Sequence, residues 1–157
     1  MISAVVDTNI LVRGAIASHP NSASKGVVDA VFAGSFVLLL SRETLFETQR
    51  VLADEEIRAL HGWTDELILS FCRALEVKGR MIETTTVVSP SLTRDVTDTK
   101  FVALAIDGQV DYLVTLDQRH LGRLKTVGKA KVVTPAKFLR VLRQSSKEGS
   151  ASDSSQQ

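Results

Sequence analysis

Two aspartates follow apolar runs that predict buried strands. Asp7 ends the run 2–6, and Asp117 lies two residues beyond the run 112–115. Short continuous apolar runs are typical of strands covered on both faces, as in parallel sheets. Ligands of such sheets bind beyond the carboxyl ends of the strands. Asp98 lies at the start of the helix that leads into the second run, so we expect three carboxylates near one edge of the sheet.

A fourth acid, Glu47, lies on the helix that follows the predicted strand 36–40. Its side chain can point toward the sheet edge rather than into water. Glu43, one turn earlier, is the alternative, but an acid in the first turn of a helix is explained by the helix dipole. Asp95 precedes Asp98 by three residues and either joins the acids or initiates the turn before the helix. We favour turn initiation, for which aspartate is well suited.

Each acid alone has a structural explanation as a helix cap or a strand-end residue, but four together indicate a cation site. Two carboxylates 4 Å apart repel each other by about 4 kcal/mol at an effective dielectric constant of 20, which is a large fraction of a domain's stability. A divalent ion is the simplest neutraliser. Carboxylate ligands favour Mg²⁺ or Mn²⁺ over Zn²⁺. His19, His61 and His120 show no metal-ligand spacing.

The bulk composition indicates one soluble α/β domain. The chain has 157 residues, of which 44% are hydrophobic and 24% are charged. This length is too short for a second domain, and the apolar content is sufficient for one core. The single cysteine, Cys72, excludes an intramolecular disulfide and fits a reducing interior. Asp7 interrupts the apolar opening, so no secretory signal is expected, and no run approaches the ~18 apolar residues of a membrane span. We therefore expect a cytoplasmic protein without membrane contact.

Charge is divided unevenly along the chain, although the net charge is only +1. Residues 1–117 carry 10 Lys and Arg against 16 Asp and Glu, whereas residues 118–147 carry nine basic residues and no acid. Such a segment can contact a polyanion, or it can be an ordinary solvated surface. The sequence leaves both interpretations open.

Strand and helix patterns alternate, which predicts an α/β fold with a mainly parallel sheet flanked by helices, a three-layer sandwich. Residues 81–97 are β-prone and then turn-like. Phe46 and Leu67 are among the side chains predicted to face inward. We predict strands at 2–6, 36–40, 112–115 and 131–134, and helices at 23–32, from 42 onward, at 54–60, at 64–79, at 98–107 and from 135 to about 143.

Five segments of this chain resemble a PIN-domain nuclease. They are VVDTNILV (5–12), LFETQRVL (45–52), DVTDTKFVALA (95–105), YLVTLD (112–117) and VVTPAKFL (132–139). Each segment alone is weak evidence, but the order and spacing of their acids are specific. Because the resemblance extends to about Arg143, we predict a single PIN-like domain over 1–143. The low-complexity residues 144–157 predict a disordered Ser/Gln-rich tail.

The resemblance implies a metal-dependent ribonuclease, in which the acids hold one or two Mg²⁺ or Mn²⁺ ions. It implies a catalytic and metal-binding role for Asp7, Glu47, Asp98 and Asp117, and a supporting role for Thr8, Asn9 and Thr115. Many small bacterial members of the family are RNA-cleaving toxins held by a cognate antitoxin, and members often dimerise. An RNA substrate, an antitoxin and a second copy of the chain are therefore the expected partners.

Basic residues close in sequence to these acids are the predicted contacts to the substrate backbone. They are Lys100, Arg119, His120 and Arg123. For His120, an ordinary surface histidine is the alternative. The single Tyr and single Trp offer little stacking surface, so single-strand binding is expected to depend on phosphate contacts.

Two other functions are compatible with parts of this pattern. In an aspartate-nucleophile phosphatase, Asp7 would attack phosphorus, but the position two residues later, where such enzymes usually have an acid, is Asn9. The chain could also be a catalytically silent module that binds RNA or a protein partner. Retention of all four acids argues against that module.

Overall fold

A mainly parallel sheet organises the chain, as a computed structural model of residues 1–93, 95–117 and 119–154 shows. The sheet has the strand order β3-β2-β1-β4-β6-β5 within these residues. All neighbouring strands are parallel except β5 and β6, which are antiparallel. The strands are β1 (Ser3–Val6), β2 (Val37–Leu40), β3 (Arg80–Met81), β4 (Tyr112–Val114), β5 (Thr126–Val127) and β6 (Ala130–Val133).

Helices cover both faces of this sheet, so the predicted α/β class and parallel sheet are confirmed. The helices are α1 (Thr8–Ile16), α2 (Ala23–Phe32), α3 (Arg42–Ala53), α4 (Glu55–His61), α5 (Asp65–Lys78), α6 (Pro90–Thr93), α7 (Thr99–Asp107) and α8 (Pro135–Ser154). Short 3₁₀ turns at Val96–Asp98 and Leu121–Arg123 lie on either side of β4 in the chain. In the part of the chain that the structure describes, no helix combines the length and apolarity needed to cross a membrane.

Alternate residues of β1 point into two separate cores. Ala4 and Val6 pack with side chains from α1, α2 and α8, whereas Val5 packs with Phe101 and Leu104 of α7. This alternation is what a strand covered on both faces requires, because successive side chains point to opposite sides. The central position of β1 places Asp7 at the middle of the sheet edge.

Helix α1 is absent from the sequence-based prediction. Its segment, TNILVRGAI, is apolar and contains β-branched residues, which obscures helical periodicity. Asp7 nevertheless occupies the N-cap, and the backbone N–H of Asn9 donates to its Oδ1 at 3.4 Å. Gly14 allows α1 to approach α2 closely, since a Cβ there would lie 2.4 Å from the carbonyl oxygen of Ser24.

The predicted helix starts after Ser41 and Thr64 are confirmed, because each of these side chains accepts a bond from a backbone N–H of the first turn. The inward orientation predicted for Phe46 and Leu67 is wrong, since they are 64% and 54% exposed. Each lies next to the apolar stripe that does pack. Leu52 of α3 and Ile68 of α5 are buried instead.

The C-terminal helix is longer than the sequence predicts. A helix end near Arg143 is wrong, because α8 continues to Ser154. Residues 144–154 contain no proline, so a helix already anchored by the buried Phe138 can propagate through them. Residues 143–150 are exposed and add nothing to the core. The domain boundary at 143 stays a prediction, and residues 155–157 of the predicted tail lie outside the described residues.

Candidate functional site

Asp7 lies at the carboxyl end of the central strand and is 5% exposed. The Thr115 hydroxyl donates to its Oδ2 at 3.0 Å. Burial raises the pKa of Asp7, opposed by the hydrogen bonds from Thr115 and Asn9 and reinforced by the charges of Glu47 and Asp117. These interactions show that three predicted site acids share one electrostatic environment.

Asp98 ends the 3₁₀ turn before α7, and it is 8% exposed. Although it occupies the cap position, its side chain makes no capping hydrogen bond. Its Oδ2 is buried without a hydrogen-bond partner among the described residues. Burial, followed by the charges of Asp7, Asp95 and Asp117, raises the pKa of Asp98 from 3.8 to about 6. An unpartnered buried carboxylate is costly unless a cation compensates it.

Asp117 lies in the loop after β4, where local donors hold it. The backbone N–H groups of Arg119 and His120 donate to Oδ1 at 3.0 Å each, and the His120 Nδ1 lies 2.8 Å from Oδ2. Burial opposes ionisation here, but these hydrogen bonds outweigh it and lower the pKa of Asp117. Its own N–H donates to the Thr115 hydroxyl at 3.0 Å, so Thr115 links Asp117 to Asp7.

Glu47 reaches the site from α3. The Thr8 hydroxyl donates to its Oε2 at 2.7 Å, and the Lys100 ammonium lies 3.0 Å from its Oε1. Arg50 is a more distant and more exposed partner at 3.9 Å. Glu43 is exposed and, with Met81, lines a cavity that none of the candidate aspartates lines. Of the two glutamates, Glu47 is therefore the one beside the aspartates.

The other candidate supporting and substrate-binding residues differ in their burial and in the groups they contact. Thr8 and Thr115 are buried, whereas Asn9 is exposed and contributes its backbone N–H to Asp7. Lys100 is engaged with Glu47. Arg119 and Arg123 are exposed, and His120 and Arg123 help to line a cavity of about 250 Å³. A larger apolar cavity of about 760 Å³ is lined in part by Ile2, which precedes the first residue of β1. None of the candidate acids lines it.

Asp95 and His120 lie close to Asp98; the sequence left open whether Asp95 joins the acids, and it offered His120 as a substrate contact. Asp95 initiates the turn as predicted, because its Oδ1 accepts from the N–H and hydroxyl of Thr97 at 2.9 and 2.7 Å. These bonds lower the pKa of Asp95. One donor atom each from Asp95, Asp98 and His120 lies within 4.8 Å of the others. The spacing of three between Asp95 and Asp98 is the only signal in the sequence for this grouping.

These residues fit a hard divalent cation. Carboxylate oxygens dominate the donor set, and the buried Oδ2 of Asp98 lacks a partner within the described ranges. The mutual repulsion of Asp7, Asp98 and Asp117 is not balanced by a lysine or arginine held among them in these ranges, since Lys100 pairs with Glu47. Mg²⁺ and Mn²⁺ are the ions that such oxygen ligands prefer.

Comparisons with known proteins agree with this architecture. A family model described as PIN domain matches residues 3–119. No curated protein sequence matches the chain. Among solved structures, the chain is similar to one chain of the crystal structure of VapBC2 from Rickettsia felis bound to a DNA fragment from their promoter. The TM-score is 0.55 and the identity 14%, and the match covers 85% of this chain and 98% of that chain. At that identity, the likeness supports the fold alone.

Proposed function

The chain belongs to the PIN-domain family, and from this premise we propose that it is a divalent-metal-dependent ribonuclease that hydrolyses phosphodiester bonds of RNA. PIN domains are generally nucleases. The observation that carries the proposal is the buried Asp98 carboxylate, unpartnered among the described residues and close enough to Asp7 and Asp117 to interact electrostatically with both. Such an arrangement is unfavourable in the absence of a cation and favourable around one.

Asp7, Asp98 and Asp117 would hold Mg²⁺ or Mn²⁺, and Glu47 completes or orients the set. When bound, such an ion neutralises the carboxylates, polarises a scissile phosphate and lowers the pKa of water. Thr115 positions Asp7 through its hydroxyl, which restricts the carboxylate to one orientation.

Lys100 and Thr8 hold Glu47 on the other side of the site. Their contacts, at 3.0 and 2.7 Å, engage both carboxylate oxygens and restrict rotation of a long side chain. Lys100 thus contributes by positioning Glu47, in addition to the substrate contact expected for it. The exposed Arg119 and Arg123 are the remaining candidates to contact RNA phosphates.

The test is cleavage of mixed single-stranded RNA by purified protein with Mn²⁺, with EDTA, and with the Asp7→Asn variant. Asp29→Asn, an exposed acid on α2, is the matched control. We expect cleavage by the wild type and the control, and none with EDTA or with Asp7→Asn. Cleavage that survives both would indicate a contaminant. No cleavage with any divalent metal would favour the silent binding module.

A cognate antitoxin is proposed as the protein partner, with the chain acting as the toxin. The support is the family resemblance and the similarity in fold to a chain of the R. felis VapBC2 structure. A homodimer and a cytoplasmic location remain part of this proposal. Arrest of growth upon expression, relieved by co-expression of the protein encoded next to it, would support the toxin role. Normal growth upon expression of active enzyme would contradict it.

A further inference from the structure

Asp98 groups with Asp95 and His120, in addition to its electrostatic interaction with Asp7 and Asp117. We propose that Asp95, Asp98 and His120 bind a divalent first-row transition ion, for which Mn²⁺ and Co²⁺ are the probes. The proposal rests on the proposed function in one respect, namely that Asp98 is shared between the two positions. Neither Asp95 nor His120 is among the ligands that the family resemblance implies.

Donor atoms of Asp95, Asp98 and His120 lie close together. One carboxylate oxygen of Asp95, one of Asp98 and one imidazole nitrogen of His120 all lie within 4.8 Å of one another. Oxygen and nitrogen ligands bind divalent ions such as Zn²⁺ at about 2.0–2.2 Å, so donors on opposite sides of one ion are about 4 Å apart. Small side-chain rotations therefore bring the three atoms to a common ion.

Asp98 is buried and incompletely hydrogen-bonded among the described residues. This side chain is 8% exposed, and its Oδ2 finds no hydrogen-bond partner in the described segments. The cap position would ordinarily give it backbone N–H donors, yet no capping bond forms. A carboxylate has two oxygens and can serve two ions, so it can belong to both positions at once.

A contact with Asp117 orients the His120 ring. Its Nδ1 lies 2.8 Å from Oδ2 of Asp117. This contact favours the tautomer with the proton on Nδ1, which leaves the lone pair of Nε2 free for an ion. Histidine ligands of metals almost always donate their other ring N–H to such a partner. An imidazole among the ligands favours transition ions over Mg²⁺.

Metal titration of the full chain tests this position independently of RNA cleavage. Mn²⁺ binding is measured by calorimetry for the wild type, Asp95→Asn and His120→Gln, with Asp29→Asn and His19→Gln as exposed controls. Asparagine retains an oxygen that can cap the Thr97 turn, so Asp95→Asn preserves the fold. We expect the wild type and the controls to bind two Mn²⁺ ions. Asp95→Asn and His120→Gln should bind the second ion at least ~10-fold more weakly.

Co²⁺ provides a direct signature in the wild type. We expect a hyperfine-shifted imidazole N–H resonance from His120 in the Co²⁺ protein, which is missing in His120→Gln. Unchanged Mn²⁺ affinity and stoichiometry in both variants, or no shifted resonance in the wild type, would overturn the proposal. Asp7→Asn separates it from the proposed function: this variant should lose cleavage and keep the His120 resonance. RNA cleavage with no effect of Asp95→Asn or His120→Gln on binding would refute the second position alone.

Discussion

Replacing Asp98 by asparagine should stabilise the metal-free protein. The pKa of Asp98 rises from 3.8 to about 6 on folding, mainly through burial and then through the charges of Asp7, Asp95 and Asp117. A change of that size corresponds to about 3 kcal/mol lost from the free energy of unfolding once the group is ionised. Solvent screening reduces the effect of the Asp98 charge, and the asparagine amide that replaces it also has a cost of burial. Both reduce the expected gain. We therefore expect Asp98→Asn to gain about 1–3 kcal/mol at pH 7.5 in EDTA.

The sign of the pH dependence follows from which state binds the proton. Between pH 3.8 and about 6, Asp98 is protonated in the folded protein and increasingly ionised in the unfolded chain. The free energy of unfolding of the wild type therefore falls as pH rises through this interval, and the loss is complete above it. The advantage of Asp98→Asn should be largest above pH 6 and vanish below 3.8.

Urea unfolding at several pH values, with EDTA or with saturating Mn²⁺, measures this effect. The control is Glu76→Gln, an exposed acid on α5 that should change stability by less than about 0.5 kcal/mol. Mn²⁺ at 100 times its Kd should stabilise the wild type by about 2.7 kcal/mol and the variant much less, which offsets most or all of the variant's advantage. An Asp98→Asn variant less stable than the wild type in EDTA at pH 7.5 would show that the ionised Asp98 carboxylate does not destabilise the metal-free protein.

Three further substitutions probe the supports of the site. Glu47→Gln should reduce RNA cleavage by at least ~10-fold, whereas Glu43→Gln should leave it unchanged; equal effects in a cleavage assay would remove Glu47 from the site. Thr115→Val should destabilise the fold by about 1–3 kcal/mol by urea unfolding, and weaken Mn²⁺ binding ~10–100-fold by calorimetry, because the hydroxyl serves Asp7 and Asp117. Lys100→Met should lower kcat with little change in Mn²⁺ affinity, and Lys100→Arg should restore part of the rate. An increase in KM with kcat unchanged would instead indicate that Lys100 contacts only RNA.

Two of the candidate acids, Asp7 and Asp117, could be placed from the sequence because the ends of the predicted strands are recognisable. The continuous apolar runs before Asp7 and Asp117 predict parallel strands, and the carboxyl ends of such strands share one edge. The helix that carries Glu47 was also predictable, since Ser41 gives it a capped start. The preference for Glu47 over Glu43 depended on helix-dipole reasoning, and the structure supplies the contacts to Thr8 and Lys100.

The features that could not be predicted depend on contacts between segments distant in the sequence, which hydrophobic periodicity does not reveal. Helix α1 was missed because its apolar residues serve a buried helix as well as they would a strand. The grouping of Asp95 with His120 arises from two loops 25 residues apart that meet beyond the sheet edge. Phe46 is exposed because the packed stripe of α3 is narrower than its apolar composition suggests.

Anomalous diffraction from crystals of the protein grown with Mn²⁺ tests the proposed metal site most directly. We predict a strong Mn²⁺ peak in contact with the carboxylates of Asp7, Asp98 and Asp117. Absence of any peak between these side chains at saturating Mn²⁺, with ions found only at unrelated surface acids, would contradict a metal-dependent active site in this protein.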